Sequence, residues 1–231
     1  MAPKFNNYRL LNQRIRRSLR FNTHQLRSLP MQLSELIVDY FDIYAPYDYM
    51  EFDYAASLTR FGCVDACTFL VAMVYVDRIR KLDKQFFETT DPNEIYISAL
   101  VVASKFLYDD GIKESVYNDE WAVSASTSVK RINALELQFL DVIAWNLNID
   151  ENEFYNVLGI CERWIALNSV KKFGFCTYNE INILYERLNL YLKCVRPLIL
   201  FVSIAILIYV TSLSLMFVAF RLSCTFHSDG K

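Results

Sequence analysis

The chain has 231 residues, of which 54% are hydrophobic and only five are glycine, a composition that suits one helical domain plus appendages that meet a membrane. Its formal net charge of −2 conceals a split: residues 1–30 carry seven basic side chains and no acid, whereas residues 31–194 carry fourteen basic and twenty-five acidic side chains, a net of −11. An acidic domain argues against a reader of nucleic-acid phosphates, and six scattered cysteines without a CxxC pair or adjacent histidines argue against a disulfide framework and against bound metal.

Residues 1–30 read as a basic N-terminal tail in which Ile15, Leu19 and Leu26 are interspersed, or as a segment lying on an anionic membrane surface. A helical domain is expected over residues 31–168. Ser34, with Glu35 behind it, predicts an N-cap for a first helix ending near Pro46. A short helix over Glu51–Phe61 precedes a long one over Val64–Leu82, whose Phe69, Leu70, Met73, Val74 and Val76 give a wide apolar face. Cys63 and Cys67, four apart, read as small packing residues on one helix face. Thr90-Asp-Pro92 supplies a cap and a first-turn proline for a helix containing Tyr96–Asp110. A polar loop to about Ser126 leads to a helix over Val129–Leu147, and Asp150-Glu-Asn-Glu153 opens another that runs to about Leu167. No strand pattern and no internal repeat appear.

Residues 169–195 form an amphipathic helix or linker, with Ile181, Leu184, Tyr185, Leu188, Tyr191 and Leu192 on one stripe that either packs back on the domain or makes a stalk. A transmembrane helix is expected over residues 196–221. Its core, Leu198 to Phe220, is 23 residues without a charge. That is about 34 Å of helix against a hydrocarbon thickness of about 30 Å. The short tail, residues 222–231, is too small to cover it. The expectation is a single-pass, C-terminally anchored protein inserted after synthesis, with the helical domain in the cytosol. Arg187, Lys193 and Arg196 before the run outnumber Arg221 and Lys231 after it, in agreement with positive-inside orientation. Cys194, at the edge of the run, is a candidate for thioester acylation, the alternative being an unmodified helix cysteine.

Two charges stand alone in apolar runs. Lys105 follows Ile97, Leu100, Val101, Val102 and Ala103 in a helix that is apolar over most of its circumference, and Glu136 sits in Ile132-Asn-Ala-Leu-Glu-Leu-Gln-Phe-Leu140. They invite pairing. His24 and His227 lie outside the domain, and no Gly-rich phosphate loop or nucleophile–base motif occurs in it, so neither an enzymatic role nor a cofactor is expected.

Ala103-Ser-Lys105 before Asp109-Asp110, Tyr75-Val-Asp77-Arg78 upstream, Tyr117-Asn118, and Asn133-Ala-Leu-Glu136-Leu-Gln-Phe-Leu140 occur in an order that resembles a cyclin box. The spacing is most similar to the P-type, phosphate-pathway cyclins of fungi and to the animal cyclin Pas/Pho domain proteins, over roughly residues 33–165. The resemblance implies an all-α fold: a single five-helix box with flanking helices, followed here by the transmembrane helix. It implies a cyclin-dependent protein kinase as partner, with Lys105 reaching backbone carbonyls of the kinase's regulatory helix while Glu136 holds the lysine and meets backbone amides. It also implies Asp77, Arg60 and Asn118 as box-supporting residues, Arg60 replacing an arginine whose aligned position is Ser57. The hydrophobic docking motif of cell-cycle cyclins is absent. Two function classes follow: a membrane-anchored regulatory subunit that binds a kinase, and a cyclin-fold membrane adaptor that activates none, for which Lys105 and Glu136 form a purely structural pair.

Overall fold

The computed structural model describes residues 8–19, 31–45, 48–62, 64–108, 116–175 and 177–228. Its helices are α1 (Tyr8–Ser18), α2 (Met31–Tyr44), α3 (Phe52–Phe61), α4 (Ala66–Leu82), α5 (Lys84–Thr89), α6 (Pro92–Tyr108), α7 (Asn118–Ser124), α8 (Val129–Val142), α9 (Glu151–Phe173) and α10 (Tyr178–Ser228), and no strand occurs among the described residues. Two compact units result, Met1–Ile181 and Asn182–Lys231.

In the first unit, α4 and α6 pack against each other at the centre. Residues Thr68 to Ile79 of α4 and Ile95 to Ser104 of α6 are all buried, as expected of helices apolar on every side. Asp65 starts α4 by accepting a hydrogen bond from the Thr68 amide at 2.7 Å, and its other oxygen takes the Tyr108 hydroxyl at 2.7 Å, which ties the end of α6 to the start of α4. Proline opens α6, where its missing N–H costs nothing. Around this pair lie α2 and α3 on one side and α8 and α9 on others; Phe41 of α2 stacks on Phe87 of α5 at 5.4 Å.

Several sequence expectations change in detail. The N-terminal basic segment is not a solvated tail over α1. Leu11, Ile15 and Leu19, four apart, are buried, α1 packs on α9, and Arg14 makes a two-pronged ion pair with Glu162 at 2.9 and 2.7 Å. Because that apolar face is spent on α9, it is not free to enter a bilayer interface. Ser34 lies buried inside α2 rather than capping it. The loop expected up to Ser126 contains α7, too short to show a period. Helix α8 stops at Val142, because Ala144 and Trp145 take positive φ values of 52° and 55°. Helix α9 continues to Phe173, where Gly174 closes it at φ 71°. Gly62, after α3, is required by close approach: a Cβ there would collide with the ring of Trp121.

The second unit is the greater part of α10. The amphipathic stretch and the apolar run are one helix, interrupted chemically by Pro197, which lacks an N–H and so releases the carbonyl of residue 193. Val195–Ala219 is long and apolar enough to cross a membrane, and none of it is buried in the protein. Cys194 and Phe220 lie in α10 but their side chains are outside the described set, as are Cys63, Asp109 and Asp110 altogether.

Candidate functional site

Lys105 sits in the last turn of α6 and Glu136 in the middle of α8, two helices that pack together. The Lys105 ammonium donates to both Glu136 oxygens, at 2.6 and 2.7 Å. The lysine side chain is 40% exposed and the glutamate 15%. So the lysine is not entombed: its side chain is partly open to solvent, and its ammonium is held by a carboxylate that is itself mostly covered. Asn118, first residue of α7, donates through Nδ2 to Glu136 Oε2 at 2.9 Å and to Asn133 Oδ1 at 2.6 Å. The sequence pairing of Lys105 with Glu136 therefore has a third and a fourth member. Tyr117 and Leu137, neighbours of this cluster in sequence, are exposed large hydrophobics.

Asp77 is placed differently from the expectation. Its partners are the Tyr40 hydroxyl at 3.0 Å, Arg80 at 2.7 Å and Lys81 at 2.5 Å, whereas Arg60 is exposed at the end of α3 and Ser57 bonds back to the Tyr54 carbonyl. The reason is proximity: Arg80 and Lys81 lie one helical turn along from Asp77 on α4, so a partner from α3 is not required. Burial alone would raise the Asp77 pKa, but the hydrogen bonds from Lys81, Arg80 and Tyr40 outweigh it and hold the carboxyl below its ordinary value. Arg80 in turn lies 4.1 Å over the Tyr44 ring.

Sequence reasoning missed the role of Arg78. Nearly buried, it holds Glu153 at 3.2 and 2.6 Å and donates to the carbonyls of Asn146 and Asn148, while the Tyr75 hydroxyl donates to the carbonyl of Leu147 at 3.0 Å. One turn of α4 thus fastens the whole connection between α8 and α9. The sequence carried little signal for it, since Arg78 stands among Asp77, Arg80 and Lys81 at the charged end of α4.

The sequence matches the Cyclin family model over residues 22–147. The chain belongs to the cyclin family. Over 108 residues it is 27% identical to Cyclin-P2-1 of Oryza sativa subsp. japonica, covering 47% of this chain and 48% of that protein. It is 33% identical over 94 residues to Cyclin-U4-1 of Arabidopsis thaliana, 40% of this chain and 44% of the relative, and 24% identical over 115 residues to Cyclin-U2-1 of the same plant, 49% and 50%. These P- and U-type names agree with a P-type cyclin box. The chain spans about half the length of the curated relatives it matches. No solved structure matches it. The cyclin match takes in α2 to α8, and with them Lys105, Asn118, Glu136 and the Asp77 cluster; α1, α9 and α10 lie outside it.

Proposed function

We propose that this cyclin-family chain is a membrane-anchored regulatory subunit that binds a cyclin-dependent-type protein kinase and acts on it without catalysis of its own. The observation that carries the reading is the half-exposed Lys105 head oriented by Glu136. An ammonium has three donors and no acceptor, so after serving two carboxylate oxygens it retains capacity for a backbone carbonyl of a docked helix. Reading carbonyls grips a helix whatever its side chains, and the exposed Tyr117 and Leu137, next in sequence to Asn118 and Glu136, would add apolar area for a partner. A grip on the kinase's regulatory helix activates if it brings that helix's glutamate into its ion pair with the ATP-binding lysine.

Val195–Ala219 supplies the anchor in this proposal, with the cyclin box on the cytosolic side as the excess of Arg187, Lys193 and Arg196 over Arg221 and Lys231 favours. A glycosylation acceptor appended after Lys231 is expected to be modified in secretory membranes; protease protection of the box in sealed vesicles overturns that orientation.

The test of the grip is kinase co-precipitation from detergent extract, with thermal unfolding alongside, for Lys105→Ala, Glu136→Ala and both together. Lys105→Ala is expected to cost roughly 2–5 kcal/mol of binding, since partner carbonyls and Glu136 lose one donor, and the double variant less than the sum of the singles. Well-folded single variants that still recover the kinase reject the grip and favour the adaptor reading.

A further inference from the structure

We infer that Asn118 is a positioning residue for the Lys105 grip, locking the Glu136 carboxylate so that it presents the lysine outward. The inference deepens the kinase-binding reading above and rests on it. The geometry begins with the amide's orientation. Nδ2 bridges Asn133 Oδ1 at 2.6 Å and Glu136 Oε2 at 2.9 Å, two acceptors one turn apart on α8. Turned over, the amide would set its own oxygen against a carboxylate oxygen and a carbonyl oxygen, so chemistry permits one orientation. In that orientation both Nδ2 hydrogens meet acceptors on α8, while Asn118 Oδ1 has no hydrogen-bond partner among the described residues. The donor side of the amide is what the site uses.

Its effect falls on Glu136. Oε2 receives both Asn118 and Lys105, at 2.9 and 2.7 Å, so the carboxylate plane is fixed from two sides and the half-exposed lysine must come to it. A carboxylate tied to the lysine alone would instead follow the side chain as it swings. Asn118 is in turn fixed by its helix. The Tyr117 amide donates to Glu120 at 2.9 Å, bracing the first turn of α7, and Trp121, fully buried, seats that helix against α3 beneath Gly62. The order of support runs from Trp121 through α7 and Asn118 to Glu136 and Lys105.

Asn118→Asp tests this by changing the donor into a second carboxylate at nearly constant shape. The charged groups around it are Lys105 from α6, Glu136 from α8, and Asp119 and Glu120 of its own helix. With full-length chain in detergent at pH 7.5, kinase recovery by Asn118→Asp is expected to fall about tenfold, as loss of a hydrogen bond to a charged group plus like-charge contact implies. Asn118→Ala, which carries no charge, is expected to lose several-fold recovery with the box still folded. Folded Asn118→Asp and Asn118→Ala that bind like wild type, while Lys105→Ala loses the kinase, overturn the positioning role and leave the grip standing. Losses that track only the folded fraction also overturn it. Retention of the kinase by folded Lys105→Ala overturns the grip itself.

Discussion

Asp77 and Arg78 are adjacent on α4 but face opposite tasks. Asp77 gathers Tyr40, Arg80 and Lys81, so its charge is neutralised on the spot, whereas Arg78 reaches away to carbonyls and to Glu153 at the α8–α9 connection. Arg78→Ala therefore leaves two carbonyls and a carboxylate short of donors and is expected to cost about 2–4 kcal/mol, read as a lowered Tm of the full chain. Asp77 is expected to govern acid sensitivity. Its folded pKa is depressed, so its stabilisation is complete above the unfolded value of about 4 and is lost as pH falls through the folded value. Unfolding midpoints followed downward from pH 6 should fall less steeply for Asp77→Asn, starting from a lower stability at neutral pH; parallel curves contradict this. Cys161, buried and beside Glu162, has a thiol pushed up to about 12 by loss of solvation and by that neighbouring charge. Alkylation of Cys161 at pH 8 is expected only when the chain unfolds.

Among elements, α1 is the instructive one. Glu162 is only 3% exposed and its partner Arg14 is 50% exposed, so the two ends of the ion pair are unequal. Arg14→Ala is expected to destabilise the docking of α1 by roughly 1–3 kcal/mol because a buried carboxylate loses a bidentate donor, while Arg14→Ala with Glu162→Gln is milder. Faster hydrogen exchange confined to the α1 amides is the readout. Nothing in the seven unopposed basic residues of the N-terminal segment announced this, since the partner lies 148 residues away and periodicity over eleven residues is thin. Longer helices were legible. The apolar fills of α4 and α6, Pro92 opening α6 and Asp150 opening α9 could be read directly, because burial on all sides and end chemistry are local properties. The Lys105–Glu136 pair was legible for a related reason: a charge in an apolar helix needs an opposite charge. Asn118's bond to Glu136 and Arg78's hold on backbone carbonyls were not, because polar residues that serve another element leave no period and carbonyl acceptors leave no residue signature.

At the scale of the whole molecule, residues 31–194 carry a net charge of −11, the first compact unit ends at Ile181, and the uncharged run lies in the second, unburied among the described residues. The proposed anchoring predicts that the full chain resists alkaline extraction from membranes. Leu207→Arg, at the middle of the run, is expected to cost about 3 kcal/mol of insertion free energy and to shift chain into the extractable fraction; an unchanged distribution contradicts a spanning helix.

Pro197 would give the proposed anchor an articulation. It lies only two residues inside Val195–Ala219, so in the proposed bilayer the carbonyl it releases sits among lipid headgroups, where water can satisfy it. Ten residues deeper the same proline would strand a carbonyl in hydrocarbon, and ten residues earlier it would interrupt the helix before the membrane begins. Bending at this depth would expose no polar group to oil, so a rod embedded as proposed would be able to change its tilt with bilayer thickness while the segment before it kept its own direction.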